Sequence, residues 1–148
     1  MSATRYDVVV AGAGLVGMAL AAALARDGIS VALLDRQQPP PSADPDTWDT
    51  RVYAISPGSA AFLQRVGAWQ ALPWDRIAAI ESMRIAGDTG ATLDFSAYEL
   101  GERALAWIVE ERALREALLP AIHVPGIDFM TGATFASRPG FLLLGLVG

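Results

Sequence analysis

The stretch Asp7-Val8-Val9-Val10-Ala11-Gly12-Ala13-Gly14-Leu15-Val16-Gly17 constrains this chain more than any other, because it joins an apolar strand to an apolar helix through glycines spaced G-x-G-x-x-G. Each glycine has its own steric task. Gly12 permits the tight turn, Gly14 lets a pyrophosphate approach the backbone, and Gly17 lets the helix lie close on the strand. The residues that open the helix, Leu15 and Val16, supply free N–H groups at its N-terminus, where the macrodipole favours an anion. Gly28 closes this Ala- and Leu-rich helix, and Ser30-Val31-Ala32-Leu33-Leu34 reads as a second strand ending in Asp35. That acid follows Gly12 by 23 residues, near the roughly 20-residue offset at which a carboxylate grips an adenosine ribose. The pattern implies a dinucleotide-binding βαβ unit; the alternative is an ordinary βαβ unit with glycine turns.

Val8 to Ala25 carries no charge over 18 residues, which just reaches the length of a membrane-spanning candidate. Three glycines in its first half, alanines in its second and the bracketing Asp7 and Asp27 favour strand, turn and helix instead. Arg5 is followed at once by Asp7, and the glycines interrupt the apolar run, which argues against a secretory leader. The chain has 148 residues, 53% of them hydrophobic and 18% charged, enough for the core of one domain. Its formal charge of -5, with arginines scattered singly, excludes nucleic acid as an expected partner. Cysteine is absent, so disulfides, thiolate metal sites and a cysteinyl cofactor link are excluded, and a cytoplasmic address is expected.

Further along, Gln37 to Thr47 holds Pro39, Pro40, Pro41 and Pro45 and reads as a loop. Ser56-Pro57 predicts an N-cap followed by proline at the first helical position, with Phe62, Leu63 and Val66 inward and Gly67 as the stop. Ile80 to Ile85 and Ala91 to Phe95 flank Gly87-Asp88-Thr89-Gly90, which predicts an inserted antiparallel hairpin with one wet face. Leu105 to Val109 reads as a strand and Glu110 to Leu119 as a helix with Leu114 and Leu118 inward, a Glu111–Arg115 pair, and Pro120 as its end. Gly126 to Met130 then predicts a strand completing a second βα(β) step. The chain closes on the apolar run Phe141 to Gly148, a poor place for a domain to stop. His123, between Pro120 and Pro125, reads as a surface turn, so no catalytic residue is identified. Tyr53 and Trp107 read as core aromatics that could also neighbour a cofactor.

Three blocks resemble the FAD-dependent aromatic hydroxylases of ubiquinone biosynthesis, distant relatives of 4-hydroxybenzoate hydroxylase. They are Asp7 to Asp35, the run from Asp49-Thr50-Arg51 through Ser59 into Phe62 to Trp69, and Trp107-Ile108-Val109-Glu110-Glu111-Arg112-Ala113-Leu114. The resemblance implies an α/β, Rossmann-like FAD-binding fold. It assigns the FAD pyrophosphate to the turn from Gly12 to Gly17, the adenosine ribose to Asp35, a place beside the adenosine to Arg36, and the flavin side of the cofactor to Arg51 and Arg112. Residues 1–72 and 105–148 would then be two parts of an FAD-binding domain, with 73–104 an inserted segment of a substrate domain. Glu111 stands where the family often has Asn. The resemblance further implies NAD(P)H as transient reductant, an aromatic (prenylated phenol) substrate, other ubiquinone-biosynthesis proteins as partners, and peripheral contact with the inner face of the membrane rather than a span. Two later family motifs, an Asp-Gly and a Gly-Asp-Ala segment, do not follow, and the likeness fades from Ser137. A truncated version is therefore expected, either part of a hydroxylase or a non-catalytic FAD-binding fragment. Taken alone, the glycine turn and Asp35 would serve an NAD-dependent dehydrogenase equally, but the block around Arg51 speaks against it.

Overall fold

The computed structural model describes residues 5–38 and 47–133. Most of the Pro-rich loop and the whole apolar C-terminal run lie outside the described residues. Strand β1 (Val8–Ala11), helix α1 (Leu15–Arg26) and strand β2 (Val31–Asp35) form the expected βαβ start, with β1 and β2 parallel from Val8 opposite Val31 to Ala11 opposite Leu34. Strand β8 (Ile127–Thr131) lies parallel on the other edge of β2, giving the order β1-β2-β8. Successive residues Val31, Ala32 and Leu33 of the central strand β2 point to opposite faces and are all buried, which explains its apolar run. Met18, Ala21 and Ala22 of α1 are almost wholly buried; their small neighbours let α1 pack closely on the sheet and on helix α3 (Glu111–Ile122). Gly28, at φ +81°, turns the chain out of α1.

A second, antiparallel sheet orders β3 (Val52–Ile55), β7 (Ala106–Glu110) and β4 (Ala78–Ile80), with β7 in the centre. Between β3 and β4 lies helix α2 (Pro57–Arg65), whose Ser56 Oγ accepts the Ser59 N–H at 3.3 Å and whose chain leaves through Gly67 at φ +85°. Trp69 sits at the heart of this part, edge-on to both Trp107 and Trp74 at centroid separations of 5.4 and 5.2 Å. Trp107 therefore belongs to the core.

Three sequence expectations need correction. Ile80 to Ile85 is two strands, because the chain changes partner at Glu81: Ile80 pairs with Ala106 on β7, whereas β5 (Ser82–Ala86) pairs with β6 (Thr92–Ser96). The resulting hairpin has no dry face among the described residues. Met83 opposite Phe95 and Ile85 opposite Leu93 share a side and are all 40–55% exposed. Second, Pro120 does not end its helix. The burial of Leu118 and Ile122 outweighs the lost N–H bond and the crowding of the ring against the preceding turn, and carries the helix on to the C-cap at His123. Third, β7, α3 and β8 do not make a second crossover within one sheet. Antiparallel partners occupy both edges of β7, so α3 instead bridges from the antiparallel sheet to the parallel one.

Candidate functional site

The turn from β1 into α1 has the geometry its glycines imply. Gly12 is at φ +104°, a conformation strained for any residue with a Cβ. A Cβ on Gly17 would stand 1.9 Å from the Gly12 carbonyl oxygen, so only glycine lets α1 lie against the turn. On Gly14 a Cβ would meet nothing within 4 Å, which leaves its open side free for a ligand. Gly14 is also the N-cap of α1, and neither a capping side chain nor an acid in the first turn occupies the helix end. The N–H groups of Leu15 and Val16 are thus oriented as an anion site would need.

Asp35, at the C-terminal end of β2, is locked to this turn: one carboxylate oxygen accepts the Ala13 N–H at 2.7 Å and the other the Gln37 N–H at 2.9 Å. Each oxygen keeps a further lone pair for a hydroxyl donor. Here the acid also fixes the loop.

Across from the glycine turn lies a wall held by side chains. Asp49 accepts the Arg51 N–H at 3.0 Å on one oxygen and the Arg112 N–H at 3.1 Å on the other, and these two bonds hold its carboxyl below the usual carboxylate range. Glu110, 5% exposed, takes Arg76 on both oxygens at 2.9 and 3.1 Å and also accepts the Asp49 N–H at 2.9 Å. Burial pushes the Glu110 carboxyl up, but the bonds from Arg76 and Asp49 and the charges of Arg76 and Arg112 outweigh it, and the group stays below its ordinary range. Arg76 additionally stacks on Trp48, 4.2 Å from its ring centre. Arg112 reaches the Thr47 carbonyl and hydroxyl at 2.5 and 3.2 Å. Arg51 is bound to Glu111 at 3.0 Å.

A cavity of about 830 Å³ separates the two walls, lined by Gly14, Asp35, Arg51, Glu111 and Arg112 among others. The structure thus gathers residues more than sixty positions apart in sequence. The Leu15 and Val16 side chains do not line the cavity, so any contribution from them is through the backbone. Arg36 and Tyr53 are exposed and outside the lining, so Tyr53 is not the core aromatic that its sequence suggests, and Trp107, half-buried in the core, lies outside the lining as well. His123 binds the Leu119 carbonyl and sits edge-on to Phe129, in a surface turn as expected. Asp49 and Glu110 stand within the blocks that carry the family resemblance but with no role read for them, and Arg76 stands outside those blocks. The only local signal was Asp49 two residues before Arg51, the spacing of an Asx turn.

Comparison with known proteins places this architecture. The pattern of the family described as FAD dependent oxidoreductase matches residues 7–129. The chain belongs to that family. Among characterised proteins, it is 31% identical to the 3-demethoxyubiquinol 3-hydroxylase of Escherichia coli K12 over 117 residues, 79% of this chain and 30% of that one. It is 39% identical to the human ubiquinone biosynthesis monooxygenase COQ6, mitochondrial, over 90 residues, 55% of this chain and 19% of that protein. The p-nitrophenol 4-monooxygenase PnpA of Pseudomonas putida DLL-E4 shares the fold, with a TM-score of 0.62 at 18% identity over 88% of this chain and 32% of the other. The chain thus spans about a third or less of the length of these relatives.

Proposed function

We propose that these residues hold the adenosine and pyrophosphate of FAD in a monooxygenase that hydroxylates an aromatic ubiquinone precursor. The observation that carries the reading is the single cavity onto which the uncapped glycine turn, Asp35, Arg51 and Arg112 all open. The fit to FAD rests on complementary chemistry: helix N–H donors and space at Gly14 for the pyrophosphate, a carboxylate at Asp35 for ribose hydroxyls, and arginines on the far wall. The glycine turn, Asp35, the segment from Asp49 to Arg51 and the start of α3 supply this cradle from the parts 1–72 and 105–148, while 73–104, taken as the insert, bears the hairpin and contributes Arg76 to the wall through Glu110. Bound FAD would supply the redox chemistry, taking two electrons from NAD(P)H and activating O2 so that one oxygen atom enters the ring and the other leaves as water. The chain's own residues bind and orient the cofactor.

The names of the hydroxylase relatives support a ubiquinone precursor, a prenylated phenol, as the substrate class; peripheral contact at the inner face of the membrane and other ubiquinone-biosynthesis proteins as partners follow from the family resemblance alone. Among the described residues no helix is long and apolar enough to cross a membrane. The lengths compared above favour one second reading: these 148 residues hold FAD without turning it over. Titration of the chain with FAD, followed by flavin fluorescence, tests the cofactor; aerobic NAD(P)H oxidation with a ubiquinone-precursor phenol tests the reaction. Saturable FAD binding with no NAD(P)H oxidation supports the second reading, hydroxylated product supports the first, and failure to bind FAD sinks both.

A further inference from the structure

Glu111 opens α3, and its carboxylate spans two cations. One oxygen accepts from Arg51 at 3.0 Å and the other from Arg115 at 2.9 Å. The Glu111 side chain is 14% exposed while that of Arg51 is 75% exposed, so the carboxylate is the anchored end of the pair and the guanidinium the swinging one. All three line the cavity, where Arg51, Arg112 and Arg115 face the carboxylates of Asp35, Asp49, Glu111 and Glu116. Among the described residues, three cations against four anions make the cavity poor in positive charge for one that receives phosphates. Arg112 is engaged with Thr47 and Glu110, so an incoming phosphate looking for a guanidinium must compete with Glu111 for Arg51.

Resting on the reading of this cavity as the FAD site, we propose that Glu111 is an internal counter-anion that sets cofactor affinity. It holds Arg51 when no phosphate is present and opposes the ligand's negative charge when one arrives. Its penalty therefore grows with ligand charge and vanishes for a neutral ligand. Glu111→Gln removes the charge but keeps size and an acceptor for Arg115.

The test is calorimetric titration of the full chain and of Glu111→Gln with adenosine, ADP and FAD at low ionic strength, with thermal melting to verify folding. The variant should bind FAD and ADP more tightly, with the larger gain for the more highly charged ADP, at roughly fivefold per unit of ligand charge a few ångströms away in a wet site, while adenosine affinity stays the same. Glu111→Ala should shift ADP in the same direction and serves if the glutamine variant does not fold. Equal ADP binding in both variants would overturn the counter-anion role, and weaker binding would show that Glu111 orients Arg51 toward the ligand instead. An equal gain for adenosine would assign the effect to cavity shape and overturn the charge argument. No binding of any ligand to the wild-type chain would defeat the cofactor reading itself, and the inference with it.

Discussion

The two walls of the cavity are built from different materials. The wall from β1 to α1 is backbone: its positions are set by what glycine lacks, and the groups it presents are N–H donors fixed by the helix. The opposite wall is side chain, a chain of charges through Arg51, Glu111, Asp49, Glu110, Arg76 and Arg112 that staples residues 47–51 to the junction of β7 and α3. A backbone wall cannot be retuned without breaking the turn, whereas a side-chain wall can exchange charge while keeping its shape. Substitutions should therefore separate the two, with all-or-none effects on one side and graded effects on the other.

The largest effect is expected at Gly17. In Gly17→Val the first added carbon already lies 1.9 Å from a backbone oxygen that cannot swing away, so unfolding free energy should fall by roughly 3 kcal/mol, the upper end for overpacking. Urea denaturation with an unchanged midpoint would show that the turn can yield. Gly14→Val separates binding from folding at the same wall. Its side chain enters open space, so stability should change by less than about 1 kcal/mol. FAD affinity should drop at least about 100-fold as the pyrophosphate loses its charge-assisted bonds. A Gly14→Val protein that binds FAD normally would make the loop purely structural.

On the side-chain wall, Glu110→Gln should cost roughly 1.5–3 kcal/mol, the range for a hydrogen bond to a charged partner, since Arg76 loses its carboxylate. The pH dependence has a definite sign. The Glu110 carboxyl is held below its unfolded value near pH 4.3, so its contribution is fully present above that pH and is lost as pH falls through the folded value. Glu110→Gln should flatten the acid limb of the stability curve. An identical acid limb in wild type and variant would remove Glu110 from the account. Asp35→Ala should weaken FAD by roughly ten- to 150-fold, or 1.5–3 kcal/mol, while also loosening residues 13 and 37, whose N–H groups it holds. Unaltered affinity would take Asp35 out of the cofactor site.

What could be read in advance divides along the same line. The glycine turn, α1 and Asp35 were legible because their partners lie within one βαβ unit, where spacing alone dictates geometry. Gly12 at positive φ and Gly17 against the turn are consequences of local stereochemistry. The antiparallel sheet was not legible. Nothing in Ala106 to Glu110 says that both edges of β7 will be taken by strands some thirty and fifty residues earlier. Pro120 misled for a related reason: its local veto was outweighed by the burial of Ile122, a tertiary effect. The charge network escaped because its bonds join residues 61 and 63 positions apart, and single arginines at scattered positions carry no periodicity. Arg36, read as beside the adenosine, is exposed and lies outside the cavity lining although Asp35, Gln37 and Gln38 on either side of it line the cavity.

The smallest effect should come from a salt bridge that looks as good on paper as those of the cavity wall. Arg84 and Asp94 face each other across the hairpin with Nε–H to Oδ1 at 2.6 Å, but their side chains are 73% and 58% exposed. Water screens the attraction and ordering two long side chains costs entropy, so such pairs contribute about 0.2–1 kcal/mol at most. Arg84→Ala should thus shift the urea midpoint far less than Glu110→Gln and leave FAD affinity unchanged, because among the described residues the hairpin strands pair only with each other and line neither cavity wall. The bond lengths of the two ion pairs differ little; their burial differs greatly. A loss at Arg84 matching that at Glu110 would mean that the hairpin is packed against something beyond the described residues, and that exposure there is not what separates the two pairs.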